Sequence, residues 1–150
     1  NPSSVGGNGN ISALPNGNSS ISQKGDSVKR EKSIISLKFK SKTLDTITQK
    51  VWSVKRKLYR HEEVSDKELL TALGANRWAA KIYNDFKHPL YEKLSTGKNS
   101  IYLMQAARKE DYIDFTKELE KRGYELSIFV EKDGVEVSAK KTRRKNERFE

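Results

Sequence analysis

The chain of 150 residues contains no cysteine, which excludes a disulfide framework and any thiolate metal site and suits a reducing compartment. Histidine is scarce too. His61 and His88 are the only two, and neither falls in a metal-ligand spacing such as HxxxH or HExxH. No apolar run is long enough to span a bilayer, and no charged-then-apolar segment opens the chain, so no membrane partner is expected. GxSxG and dinucleotide fingerprints are absent. Ser95-Thr96-Gly97-Lys98 has the ending of a phosphate-binding loop, but Glu92 stands where the upstream glycine is required. Six tyrosines are present and nothing singles one out as a nucleophile. The expectation is a non-enzymatic segment with no catalytic residue, no metal and no cofactor.

Negative charge is also short. Thirty basic residues against twenty acidic ones leave a net charge of +10, which predicts a polyanionic partner, in the first place nucleic acid. The excess is uneven. Residues 31–60 hold nine basic and two acidic residues, whereas 61–90 and 91–120 are each slightly acidic. Solubility alone needs no such concentration.

Residues 1–32 are rich in Ser, Gly and Asn and poor in large apolar side chains, and read as a disordered linker. The chain opens on Asn1, and this composition favours a C-terminal piece of a longer, intracellular protein, cytoplasmic or nuclear. Residues 33–141 read as one folded domain and 142–150 as the end of a basic tail. Within the domain, Ser33–Lys40 alternates apolar and polar residues as a half-buried strand does. Leu44, Ile47, Val51, Val54 and Leu58 then recur every three or four residues, predicting a helix over 41–60. Its last third carries Lys50, Lys55, Arg56, Lys57 and Arg60, more cations than a helix C-terminus needs to complement its dipole. Further on, Ile101–Ala106 reads as a short strand and Lys109–Arg122 as an acidic amphipathic helix ending at Gly123. Asp133-Gly134 between two alternating runs signals a hairpin.

The stretch between these parts is Ser65–Phe86. Ser65 with Glu68 forms a capping box, and Leu69, Leu70 and Leu73 supply an apolar face. Gly74 is expected to turn the chain and Asn76 to cap a second helix, with Ala79, Ile82, Tyr83 and Phe86 inward. Over Leu69–Tyr83, LLTALGANRWAAKIY resembles the helix-turn-helix DNA-binding motif. That resemblance implies an α+β domain of helix-turn-helix or winged-helix type, with a short antiparallel sheet and a β-hairpin. It also implies a double-stranded DNA partner, with Arg77, Lys81 and Asn84 reading bases. Lys50, Lys55, Arg56, Lys57, Arg60, Arg143, Arg144 and Lys145 would hold phosphates. Ser33–Asp85 also resembles a ribbon-helix-helix unit, in which Ser36, Lys38 and Lys40 would face DNA and two chains would form a homodimer. The alternative to DNA is an RNA-binding, ribonucleoprotein role.

Overall fold

Two apolar periodicities, one of 3.6 residues and one of two, set the architecture. A computed structural model describes residues 32–142. The elements run β1 (Lys32–Phe39), α1 (Leu44–Tyr59), α2 (Asp66–Tyr83), α3 (Tyr91–Ser95), α4 (Asn99–Ala106), α5 (Lys109–Lys121), β2 (Tyr124–Glu131) and β3 (Gly134–Thr142). The expected α+β class is the class observed. The linker over 1–32 falls outside the described residues except for Lys32, as do Arg143, Arg144 and Lys145.

The strands form one sheet in the order β1-β3-β2. β2 and β3 pair antiparallel from Tyr124 opposite Lys141 to Glu131 opposite Gly134. β1 also runs against β3, since Ser36 Oγ lies 2.6 Å from Ser138 Oγ while Phe39 meets Gly134. A Cβ on Gly134 would stand 3.0 Å from the Phe39 carbonyl oxygen, so glycine permits this close approach. Alternation then sorts the faces. Phe39, Tyr124, Val135, Val137 and Ala139 are buried on the helix side, while Ser36, Lys38, Ser127 and Phe129 face out.

α2 is the axis of the fold. It touches α1, α4, α5 and the middle strand β3. Eleven of its eighteen residues are buried. The expected turn at Gly74 does not occur, and 66–83 is one unbroken helix. The reason is the run of Ala72, Ala75, Ala79 and Ala80 around Gly74, together with apolar residues that stay in helical step on both sides. Leaving that face unburied would cost more than the ~1 kcal/mol that glycine costs a helix interior. Gly74 instead lets α2 approach the sheet: a Cβ there would lie 3.2 Å from Phe39 Cβ and 3.6 Å from Val137 Cγ2. Asn76 is likewise not a cap. It sits fully buried in mid-helix and donates through Nδ2 to the carbonyls of Ala106 (2.8 Å) and Arg108 (3.0 Å), which satisfies the α4–α5 turn.

The capping box at the start of α2 forms as expected, with Ser65 Oγ accepting from the Glu68 N–H and Glu68 Oε1 from the Ser65 N–H, both at 3.0 Å. α1 buries Ile47, Val51 and Val54 and ends in a Schellman turn, where Glu62 N–H reaches the Lys57 carbonyl and His61 adopts φ 58°. Ile101–Ala106 is helix, not strand. Its short apolar run fits either period, and the buried pair Leu103 and Ala106, three apart, follows the helical one. Lys109–Lys121 is helical as expected, with Phe115 and Leu119 buried and Ile113 exposed. Asp66, Arg122 and Tyr124 staple α2, α5 and β2 together. Arg122 donates to Asp66 Oδ1 (2.7 Å), Glu118 Oε2 (3.1 Å) and the Val64 carbonyl (2.8 Å), and the Tyr124 hydroxyl donates to Asp66 Oδ2. Among the described residues no helix is long and apolar enough to cross a membrane.

Candidate nucleic-acid interface

The β2–β3 hairpin turns through Lys132 and Asp133, and its tip lies beside the C-terminal end of α2. The loop after α2 is latched to it. His88 is buried, its Nδ1 accepts the Leu90 N–H (3.0 Å), and its Nε2 lies 2.8 Å from the Lys132 carbonyl. With Nδ1 an acceptor, Nε2 carries the proton and donates to that carbonyl. The Trp78 indole stands edge-on to the His88 ring at 5.3 Å and donates to the Ser41 carbonyl (2.7 Å). The end of β1, the end of α2 and the hairpin are thereby held at one end of the molecule.

Two grooves flank the tip. One, of about 320 Å³, is lined by Arg77, Ala80, Lys81, Asn84, Asp85 and Val130. The three residues expected to read bases do converge here, but not as one free helical face. Arg77 is half-buried with its guanidinium 4.5 Å above the Tyr112 ring, Lys81 lies 3.6 Å from Asp85, and Asn84 is the C-cap of α2. α2 is covered on most sides, so it has no bare face to lay into a major groove. Ala80, beside these residues, is buried, and Phe86, expected in the core, is 73% exposed.

The second groove, of about 380 Å³, is lined by Lys40, Lys42, Trp78, His88, Pro89, Leu90, Lys132 and Asp133. Lys42 and Lys132 carried no expectation of a contact from the sequence. Lys40 was tied only to the strand-pairing arrangement. Lys132 stands some ninety residues along the chain from the other two, and the pairing of β1 with β3, which sets Gly134 against Phe39 and Lys40, brings it to them. None of the three has a carboxylate partner among the described residues, whereas Lys38 is engaged by Glu131 at 3.1 Å.

The expected phosphate contacts on α1 fall apart into separate sides of the helix. Lys55 and Lys57 are two residues apart, hence about 160° apart around the axis. Lys57 pairs with Glu68 (2.8 Å) and Lys55 with Asp111 (3.2 Å), so both tie α1 to neighbouring helices. Lys50 lines a small groove against the start of α2 with Lys67 and Thr71. Arg56 and Arg60 point to solvent, with Arg60 4.0 Å from Glu62. The Lys57–Glu68 contact also marks distance: Lys81 lies thirteen residues, or about 20 Å, further along α2. One short site does not take in both groups.

No protein-family model, curated protein or solved structure matches the chain. The chemistry of the two grooves is therefore read from their own residues. They offer a guanidinium, an exposed amide and lysine ammonium groups at one end of the fold, suited to oxygen acceptors of phosphates and base edges. Among the described residues, no three His, Asp or Glu side chains converge as a metal ion would need.

Proposed function

We propose that this domain binds double-stranded DNA through its hairpin end. The observation that carries the reading is the pair of cationic grooves on either side of one rigid hairpin tip. Lys40, Lys42 and Lys132 would hold backbone phosphates on one side. Arg77 and Asn84, with Lys81, would meet base edges on the other, the hairpin serving as a wing. Tyr112 supports this assignment by stacking under the Arg77 guanidinium, which orders a side chain that bidentate readout of guanine requires in a fixed plane. Asp85 and Asp133 line the same grooves and disfavour anions that do not displace them, a basis for discrimination rather than uniform attraction.

The test is selection from a random duplex pool at physiological salt, with a folded RNA pool in parallel. The proposal expects a short duplex motif, and it expects Arg77→Ala to relax the preference at one base by about 1–3 kcal/mol while leaving other positions intact. Recovery of structured RNA only, or a motif indifferent to Arg77→Ala and Asn84→Ala, refutes this site.

A further inference from the structure

α1 carries two large aromatic side chains that are exposed among the described residues. Trp52 is 44% exposed and Tyr59 84% exposed, although the helix buries its own apolar stripe of Ile47, Val51 and Val54 efficiently. They are seven residues apart, so they lie on the same side of the helix about 10 Å from one another. Arg56 lies between them and Arg60 just beyond. A single exposed apolar side chain needs no explanation. Two aromatics with a guanidinium between them, on a helix whose only carboxylate is Asp45, form a pattern.

Trp52 is also positioned. Lys55 Nζ lies 4.5 Å from the centroid of its ring, and Lys55 is itself held by the buried carboxylate of Asp111 at 3.2 Å. The indole therefore rests against a fixed cation and presents a platform of defined orientation. Tyr59 and Lys55 also border a cleft of about 740 Å³ between the end of α1 and α5, whose lining includes Asp111, Asp114 and Glu118, so the cleft itself does not suit a phosphate chain and the outer face of α1 does. Aromatic platforms alternating with cations are what an unpaired nucleic-acid strand recognises: bases stack on the rings and phosphates meet the guanidinium groups. A duplex cannot use them, because its base faces are already stacked. The 10 Å spacing corresponds to about three nucleotides at the ~3.4 Å stacking repeat.

We infer that the outer face of α1 binds a single-stranded segment, with Trp52 and Tyr59 as stacking platforms and Arg56 and Arg60 as phosphate contacts. This rests on the nucleic-acid reading above but uses a different surface, so a duplex held at the hairpin end could continue as an unpaired strand along α1. Arg56 and Arg60 beside the two rings favour a polyanionic strand on the outer face of α1, with Asp111, Asp114 and Glu118 lying on the α5 side of the adjoining cleft.

The experiment measures binding of the full chain to oligothymidylate and to a blunt duplex, by anisotropy and by tryptophan emission. Trp78 is buried but borders the hairpin groove, so the part of the quenching that is lost in Trp52→Ala is the part assigned to Trp52. Oligothymidylate should quench the emission. Trp52→Ala with Tyr59→Ala should weaken oligothymidylate binding about ten-fold or more while duplex affinity stays within about two-fold. Trp52→Phe, which keeps a stacking ring, should recover most of the loss. Duplex binding without any oligothymidylate binding overturns this inference and leaves the hairpin site standing. So does oligothymidylate binding indifferent to the double substitution. Oligothymidylate binding that depends on both rings, with no duplex binding, supports the α1 site and overturns the hairpin proposal. Binding of neither overturns both.

Discussion

Replacing Gly74 by asparagine separates two accounts of the same residue. In a turn, asparagine is the best substitute for glycine, because its side chain tolerates the left-handed region, and the change would cost well under ~1 kcal/mol. In the α2 helix, the new Cβ meets Phe39 Cβ at 3.2 Å, Val137 Cγ2 at 3.6 Å and Leu37 Cδ1 at 3.8 Å. The amide beyond it has nowhere to go without moving the sheet, and the three neighbours offer it no hydrogen bond. Overpacking contributes about 1–3 kcal/mol and a buried unpaired amide about 1–3 kcal/mol, so the total is about 2–6 kcal/mol. For a domain of this size the melting temperature should fall by roughly 8 °C or more. Gly74→Ala is the control. Its helix-propensity gain of about 1 kcal/mol is set against a shift of a few tenths of an ångström in Phe39, leaving stability within about 1 kcal/mol of the parent. Thermal and urea unfolding followed by circular dichroism measure both variants. A loss below about 1 kcal/mol for Gly74→Asn would refute the helical packing argued for α2.

Two further outcomes follow from the same geometry. The Lys57 hydrogen bond, with that of the Ser65 N–H, holds Glu68 down to about 2 from 4.5, and the hydrogen bonds of Tyr124 and Arg122 outweigh burial to hold Asp66 below its usual value. Both are depressed acids, so their contribution is present above the unfolded-state values and is lost as pH falls from about 4.5 toward 2. The urea midpoint should drop across that window, and Glu68→Gln should flatten the drop; an unchanged profile would contradict the pairing. His61→Gly should stabilise the domain by about 1 kcal/mol, because His61 occupies φ 58° at the end of α1 where glycine enters without strain. A lower urea midpoint for that variant would show that the histidine side chain makes a contact worth more than the strain.

Local signals were legible in the chain, and long-range ones were not. The Ser65–Glu68 capping box, the 44–59 stripe, the acidic helix over 109–121 and the hairpin around Asp133-Gly134 each depend on residues a few positions apart, and each stands in the structure. Gly74 was misread because glycine has two uses, a left-handed turn and a close approach, and only the partner of the approach distinguishes them. That partner is Phe39, thirty-five residues earlier. Asn76 failed for the same reason: an amide that would cap a helix locally is spent instead on the Ala106 and Arg108 carbonyls. That Arg77, Lys81 and Asn84 share one groove was legible because they follow one another on α2. The pairing of two α1 cations was not legible, since a run of lysines does not reveal that Asp111 and Glu68 will meet them. The grouping of Lys132 with Lys40 and Lys42 was not legible because they reach one another only through the sheet.

The central claim, that the hairpin end grips DNA phosphates, is tested most directly by the salt dependence of duplex binding in the parent and in a Lys40→Ser, Lys42→Ser, Lys132→Ser variant. Each phosphate contact contributes about 0.9 to the slope of log affinity against log salt, so the triple substitution should flatten that slope by about 2–3 without changing the preferred motif. An unchanged slope, or a parent that binds no duplex at low salt, would contradict it.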